Sequence, residues 1–230
     1  MIALVAAALA GPAADSAGFG APGALPANAA TLTAAGLFDG VRQYGEGQLL
    51  LQGHVQNLGI DLDYSGLAGA GTGWSDAGSG TLRVGVRAFF GSETVHSALG
   101  VDARVTVADA PTVSFWVLRG ADARSGLAPR ITWDLSLGPK GEVISLRVAL
   151  GLYPAVGSAI TVTRLSPIGT KWAVLTEAEV VADPTPVSLR VGARWRPSPR
   201  WSADAVVQVP VELTLTHPVF VPALQVRGEL

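Results

Sequence analysis

The sequence predicts an all-β chain, folded as an antiparallel up-and-down barrel of about twelve strands, with ten as the alternative count. Three observations carry this. Apolar and polar residues alternate from Gln48 to the C-terminus, compact turn signals separate the alternating runs, and no apolar run beyond the first residues approaches the ~20 needed for a membrane helix. Apolar residues make up 49% of the 230 positions, yet they are dispersed rather than clustered. A large β-core or a barrel with a lipid-facing exterior would both produce that combination.

The elements follow in order. Ile2–Ala10 is a short apolar run ending in Ala8-Leu9-Ala10, a small-x-small pattern, so residues 1–10 are a candidate signal peptide. Residues 11–43 are rich in Ala, Gly and Pro and read as a flexible lead-in, with Thr31–Phe38 forming one or two helical turns against the barrel end. The barrel itself is expected over residues 44–230.

Gln48–Tyr64 reads as one long strand or as a hairpin through Asn57-Leu58-Gly59. In Thr81–Phe90, Leu82, Val84 and Val86 alternate with Arg83, Gly85 and Arg87. The same alternation runs through Leu99–Val107, Arg130–Leu137, Ile144–Leu152, Trp172–Val180, Val187–Trp195, Trp201–Leu213 and Leu224–Leu230. Thr112–Arg119 is apolar on both parities, and Ser158–Leu165 is short. Turn signals such as Gly91-Ser92-Glu93, Asp183-Pro184-Thr185-Pro186 and Pro197-Ser198-Pro199 are compact, as antiparallel neighbours require. The longest links, Ser65–Gly80 and Gly120–Pro129, are candidate external loops.

The polar parity carries the charges. Its acids are Asp61, Asp63, Asp102, Asp134, Glu177, Glu179, Asp204, Glu212 and Glu229, and its bases are Arg83, Arg87, Arg104, Arg130, Arg147, Arg190, Arg194 and Arg227. The two sets nearly balance, and small residues such as Gly85, Gly100, Gly192, Ser136 and Ser188 lie between them. Buried charges must be paired, and small neighbours leave room for long arginines. This parity therefore suits the interior of a transmembrane barrel, and the Leu/Val/Ala/Ile parity suits hydrocarbon. Lys140 and Lys171 are the only lysines, an unusual economy for a water-exposed surface. Tyr153, Trp172, Trp195 and Trp201 lie at strand ends, where an aromatic girdle would be.

Together the leader, the alternation and the run Val191-Gly-Ala-Arg-Trp-Arg-Pro-Ser-Pro-Arg-Trp-Ser resemble bacterial outer-membrane β-barrels as a class. The resemblance implies residence in the outer membrane, contact with membrane lipid or lipopolysaccharide, and delivery by the insertion machinery that reads the last strand. It also implies a porin-like channel for small solutes or a structural membrane protein. The competing readings are a membrane-embedded lipid-modifying enzyme, and a soluble periplasmic or secreted β-sandwich or barrel that binds a partner and turns its apolar parity inward.

Composition excludes other classes. A net charge of −2 offers nothing to nucleic acid, and the absence of cysteine removes disulfides and thiolate metal sites. His54, His96 and His217 are isolated and lack metal-ligand spacing. His96-Ser97 are adjacent, so a strand would point them to opposite faces. The glycine-rich Gly66–Gly80 lacks the Lys-Ser/Thr of a phosphate loop and reads as a surface loop. The carboxylate pairs Asp61/Asp63 and Glu177/Glu179 each read as answering an arginine on a neighbouring strand. No catalytic set, cofactor or metal is expected.

Overall fold

The structure is a computed structural model that describes residues 23–24, 26–38, 42–71, 74–92, 94–106, 126–138, 143–152, 158–181, 187–211 and 220–230. Residues 1–10, Thr112–Arg119, Tyr153, Glu212 and His217 lie outside the described residues.

Twelve strands form one closed barrel: β1 (Ala29–Phe38), β2 (Arg42–Val55), β3 (Leu58–Gly71), β4 (Trp74–Gly91), β5 (Val95–Thr106), β6 (Gly126–Leu137), β7 (Val143–Gly151), β8 (Ala159–Pro167), β9 (Trp172–Val181), β10 (Val187–Ser198), β11 (Trp201–Val211) and β12 (Val221–Glu229). Each strand pairs antiparallel with its sequence neighbours, and β1 closes the sheet on β12 through a register running from Ala29↔Glu229 to Ala35↔Ala223. Strands of 9 residues or more, tilted as in a closed barrel, are long enough to cross hydrocarbon.

Which parity faces inward is settled by burial. Arg190, Arg194 and Asp204 are at most 2% exposed, whereas Leu224 and Val191 are about 60% exposed. An exterior of Leu, Val and Ile around an interior of Arg, Asp and Glu is the reverse of a soluble protein. It is stable only where the outer solvent is lipid. The soluble reading, with its apolar parity inward, is overturned by this distribution.

Three segments differ from the sequence expectation. The barrel begins at Ala29, within the stretch expected as lead-in, and Thr31–Phe38 is strand rather than helical turns. Thr31, Thr33 and Ala35 point inward and Leu32 and Ala34 outward, and pairing on both sides with β2 and β12 overrides the helix preference of alanine. The stretch Gly66–Gly80, expected as a loop, continues the β3–β4 hairpin as paired strand over Gly66–Gly71 and Trp74–Gly80, with a bulge between Leu67 and Gly69. Its backbone groups find partners across the hairpin, which glycine composition alone does not reveal. Gln48–Tyr64 is a hairpin, turning at Gln56-Asn57, where Gln56 takes a left-handed φ of 54°.

The links divide by end. Residues 56–57, 92–94, 138–142, 168–171 and 199–200 join strands at the end where β1 starts and β12 finishes. The opposite end carries the longest link, 107–125, and also 212–220 and 152–158.

Candidate functional site: the charged interior

The interior is built by register. Five ion pairs join residues that face each other directly across neighbouring strands: Asp63↔Arg83, Asp102↔Arg130, Asp134↔Arg147, Glu177↔Arg190 and Arg194↔Asp204. A one-residue slip of any of these strands would turn its charges toward lipid, so the pairs and the apolar exterior specify the same register.

One lattice spans β2 to β7. Arg130 grips Asp102 with two hydrogen bonds, Nε to Oδ1 and Nη2 to Oδ2, both 2.8 Å. Arg83 bridges Asp63 at 3.0 Å and Asp102 at 3.7 Å. Gln48 donates to Asp63 at 2.8 Å. Arg87 binds Asp61 through Nε at 2.5 Å and Nη2 at 2.8 Å, approaches Asp134 at 4.0 Å, and lies 5.2 Å over the Phe89 ring. Arg147 meets Asp134 at 3.6 Å. Arg87 fits because its register neighbours are Gly59 and Gly100. A methyl group on Gly100 would lie 2.5 Å from Arg87 Cγ.

A second lattice covers β8 to β12. Glu177 and Glu179 converge on Arg190 Nη1 at 2.6 and 2.7 Å, and Arg190 Nε donates to Gln208 at 2.9 Å. Thr163 donates to Glu177 at 2.5 Å. Arg194 holds Asp204 with two 2.8 Å bonds, and Gln225 adds a third donor at 3.3 Å. Charge-assisted, two-pronged bonds of this kind are what make so many buried charges tolerable.

Of the residues singled out from sequence, Arg83, Arg87, Asp102, Arg104, Arg130, Asp134, Glu177, Glu179, Arg190, Arg194, Asp204 and Arg227 are buried in the interior, and Arg147 is partly buried. Glu229 shares the inward parity but is exposed at the barrel rim, because β12 ends there. Trp172, Trp195 and Trp201 are exposed, all at the end carrying the short links. Sequence reasoning missed the inward residues Glu46 and Gln52 of β2 and Thr31 and Thr33 of β1. The alternation of Glu46, Gln48, Leu50 and Gln52 against Gly47, Leu49, Leu51 and Gly53 could have found the first two.

The interior also takes in backbone from outside the sheet. Arg87 Nη1 donates to the Gly23 carbonyl at 2.6 Å, and Gly23 and Ala24 are buried. Asn28 marks the entrance: its Oδ1 accepts from His54 N, and its carbonyl accepts from Leu230 N, both at 2.9 Å. Gly23 and Ala24, ahead of β1, thus lie inside the barrel and meet Arg87.

His96 and Ser97 do not form a catalytic pair. Ser97 Oγ accepts from Trp133 Nε1 at 2.9 Å, and its neighbour His96 lies on the opposite parity. Among the described residues no group of His, Cys, Asp and Glu could hold a metal ion.

A closed twelve-stranded barrel with an apolar exterior and an ion-paired interior defines the class: this is a transmembrane β-barrel of the bacterial outer-membrane type. Comparison with solved structures agrees. The fold is similar to a KdgM porin, solved in complex with disordered oligogalacturonate, at a TM-score of 0.60 and 10% identity, covering 87% of this chain and 99% of that one. It is similar to the NanC porin at 0.57 and 9% identity, covering 87% and 100%. It is also similar to outer membrane phospholipase A from Escherichia coli at 0.55 and 8% identity, covering 89% and 94%. No family model and no curated protein matches the sequence. The likenesses establish the fold, which hosts both channels and enzymes.

Proposed function

We propose that the chain is a narrow porin-like channel for small polar solutes, oriented with its short-link end in the periplasm and residues 107–125 outside. The observation that carries this reading is the interior itself. Polar and charged side chains line it around the whole barrel, including Gln48 and Asp63 on one side and Arg190 and Gln208 on the other. A barrel with only a structural role has no need to bury so many charges, each of which costs desolvation. The porin-like neighbours favour the same reading. A lipid-modifying enzyme is disfavoured because Ser97 is engaged by Trp133 and turned away from His96.

Purified protein added to a planar lipid bilayer is expected to give discrete conductance steps. Because the arginines and acids of the interior nearly balance, these steps should show weak preference between anions and cations. Silent bilayers, with folded protein shown to be inserted, would assign the barrel a structural role.

A further inference from the structure

The inward wall of β3 to β7 carries more base than acid. Among its described residues, five arginines, Arg83, Arg87, Arg104, Arg130 and Arg147, stand against four aspartates, Asp61, Asp63, Asp102 and Asp134. Contacts give each aspartate an arginine: Arg87 to Asp61, Arg83 to Asp63, Arg130 to Asp102 and Arg147 to Asp134. Arg104 brings the fifth positive charge. It lies directly opposite Arg83 in the β4–β5 register, and Asp102 feels it together with Arg130 and Arg83.

Like charges directly opposite on neighbouring strands are destabilising, and more so when withdrawn from water. Arg83 is 5% exposed and Arg104 8%, and register partners have Cα atoms about 5 Å apart. Arg130, on β6, lies diagonal to Arg104, whose own partner there is Ala128. One carboxylate, Asp102, therefore serves three guanidinium groups. Arg130 already engages both of its oxygens at 2.8 Å, and Arg83 comes no nearer than 3.7 Å. The Nε of Arg83 is buried and meets no hydrogen-bond acceptor among the described residues. Guanidinium groups gathered in this way suit an oxyanion, which takes paired N–H donors from more than one of them. Arg104 is two residues from the end of β5 and Arg130 four residues into β6, so the group lies toward the mouth that carries residues 107–125.

We propose that Arg83, Arg104 and Arg130 bind an oxyanion, the carboxylate or phosphate group of a small solute, inside the barrel near its long-link mouth. This names the solute class of the channel and in that respect rests on the channel reading; the binding itself does not. Farther round the barrel Glu177 and Glu179 share Arg190, so the lumen as a whole stays balanced. Weak preference between small ions and a saturable oxyanion site therefore coexist.

The test is equilibrium dialysis of radiolabelled phosphate and radiolabelled succinate against the full-length barrel folded in a non-ionic detergent. Saturable binding of at least one is expected, and the tighter probe names the group. Affinity should fall by at least about tenfold in R104Q, which removes the charge-assisted hydrogen bonds of one guanidinium. Asp102 keeps Arg130 and Arg83 in that variant, so the gel shift of a folded barrel should persist. R104K keeps the charge but not the planar fork; it should bind with intermediate affinity, and it carries the test if R104Q does not fold. No saturable binding of either probe, or wild-type affinity in the folded variant, would overturn the site. In planar bilayers the bound anion should reduce the wild-type current over the same concentration range. Saturable binding in a barrel that passes no current would overturn the channel reading and leave the site standing, whereas a current unaffected by the bound anion would take the site out of the solute path.

Discussion

Arg194 and Asp204 show what a buried charge demands here. Both are about 1% exposed, and two 2.8 Å bonds join them. Replacing Arg194 with alanine strands a carboxylate that, among the described residues, Gln225 at 3.3 Å still addresses. The expected loss is about 3–5 kcal/mol, read as a lower midpoint of urea unfolding in lipid vesicles. The double change Arg194→Met with Asp204→Leu should recover most of it, because no unpaired charge is left. A double variant as unstable as the single one would mean that the pair adds stability of its own rather than cancelling a burial cost. Arg87 is the contrasting case. It makes one hydrogen bond and a second ion-pair contact to Asp61, one hydrogen bond to the Gly23 carbonyl and a ring contact with Phe89, all made possible by glycine on either side.

The strands differ in how openly their sequences declare them. In β10, Arg190 and Arg194 alternate with Val191 and Trp195, and the contrast between charge and hydrocarbon makes the inward face legible without a structure. In β1 the inward residues are Ala29, Thr31, Thr33 and Ala35, and the outward ones include Ala30 and Ala34. The two faces barely differ in polarity, so the strand emerges only from hydrogen bonding to β2 and β12. The β3–β4 extension failed for a related reason: glycine carries no face at all, and only the partner strand defines it. Nothing in the sequence announces that Gly23 meets Arg87. That contact joins residues 64 positions apart through a backbone carbonyl, which has no residue-specific signal. Its consequence can be measured. Deleting residues 1–27 keeps Asn28 and its two bonds at the rim, and leaves Arg87 its ion pair with Asp61. The barrel should lose no more than about 1.5 kcal/mol, the worth of one hydrogen bond, while single-channel conductance rises. Unchanged conductance would show that this segment does not restrict the path.

For the molecule as a whole, closure removes every exposed sheet edge, and the interior and exterior patterns reinforce one register. A barrel held this way should resist SDS until boiled, so unboiled and boiled samples are expected to migrate differently on a gel. Identical migration, with protein recovered from the soluble fraction, would contradict the lipid-facing exterior.

The seam between β1 and β12 has a kinetic side. Its register joins Ala29 to Glu229, near opposite ends of the sequence, while every other pairing links neighbouring strands. The last contact to form is therefore the one with the largest loop to close, and β1 brings to it only alanines, threonines and one leucine before Gly36. Until β12 has been delivered, the growing sheet keeps two raw edges, a state prone to stick to its own kind. The topology thus sets the order of assembly: the chain cannot finish folding strand by strand, and the first hairpins keep an open edge until the final strand arrives.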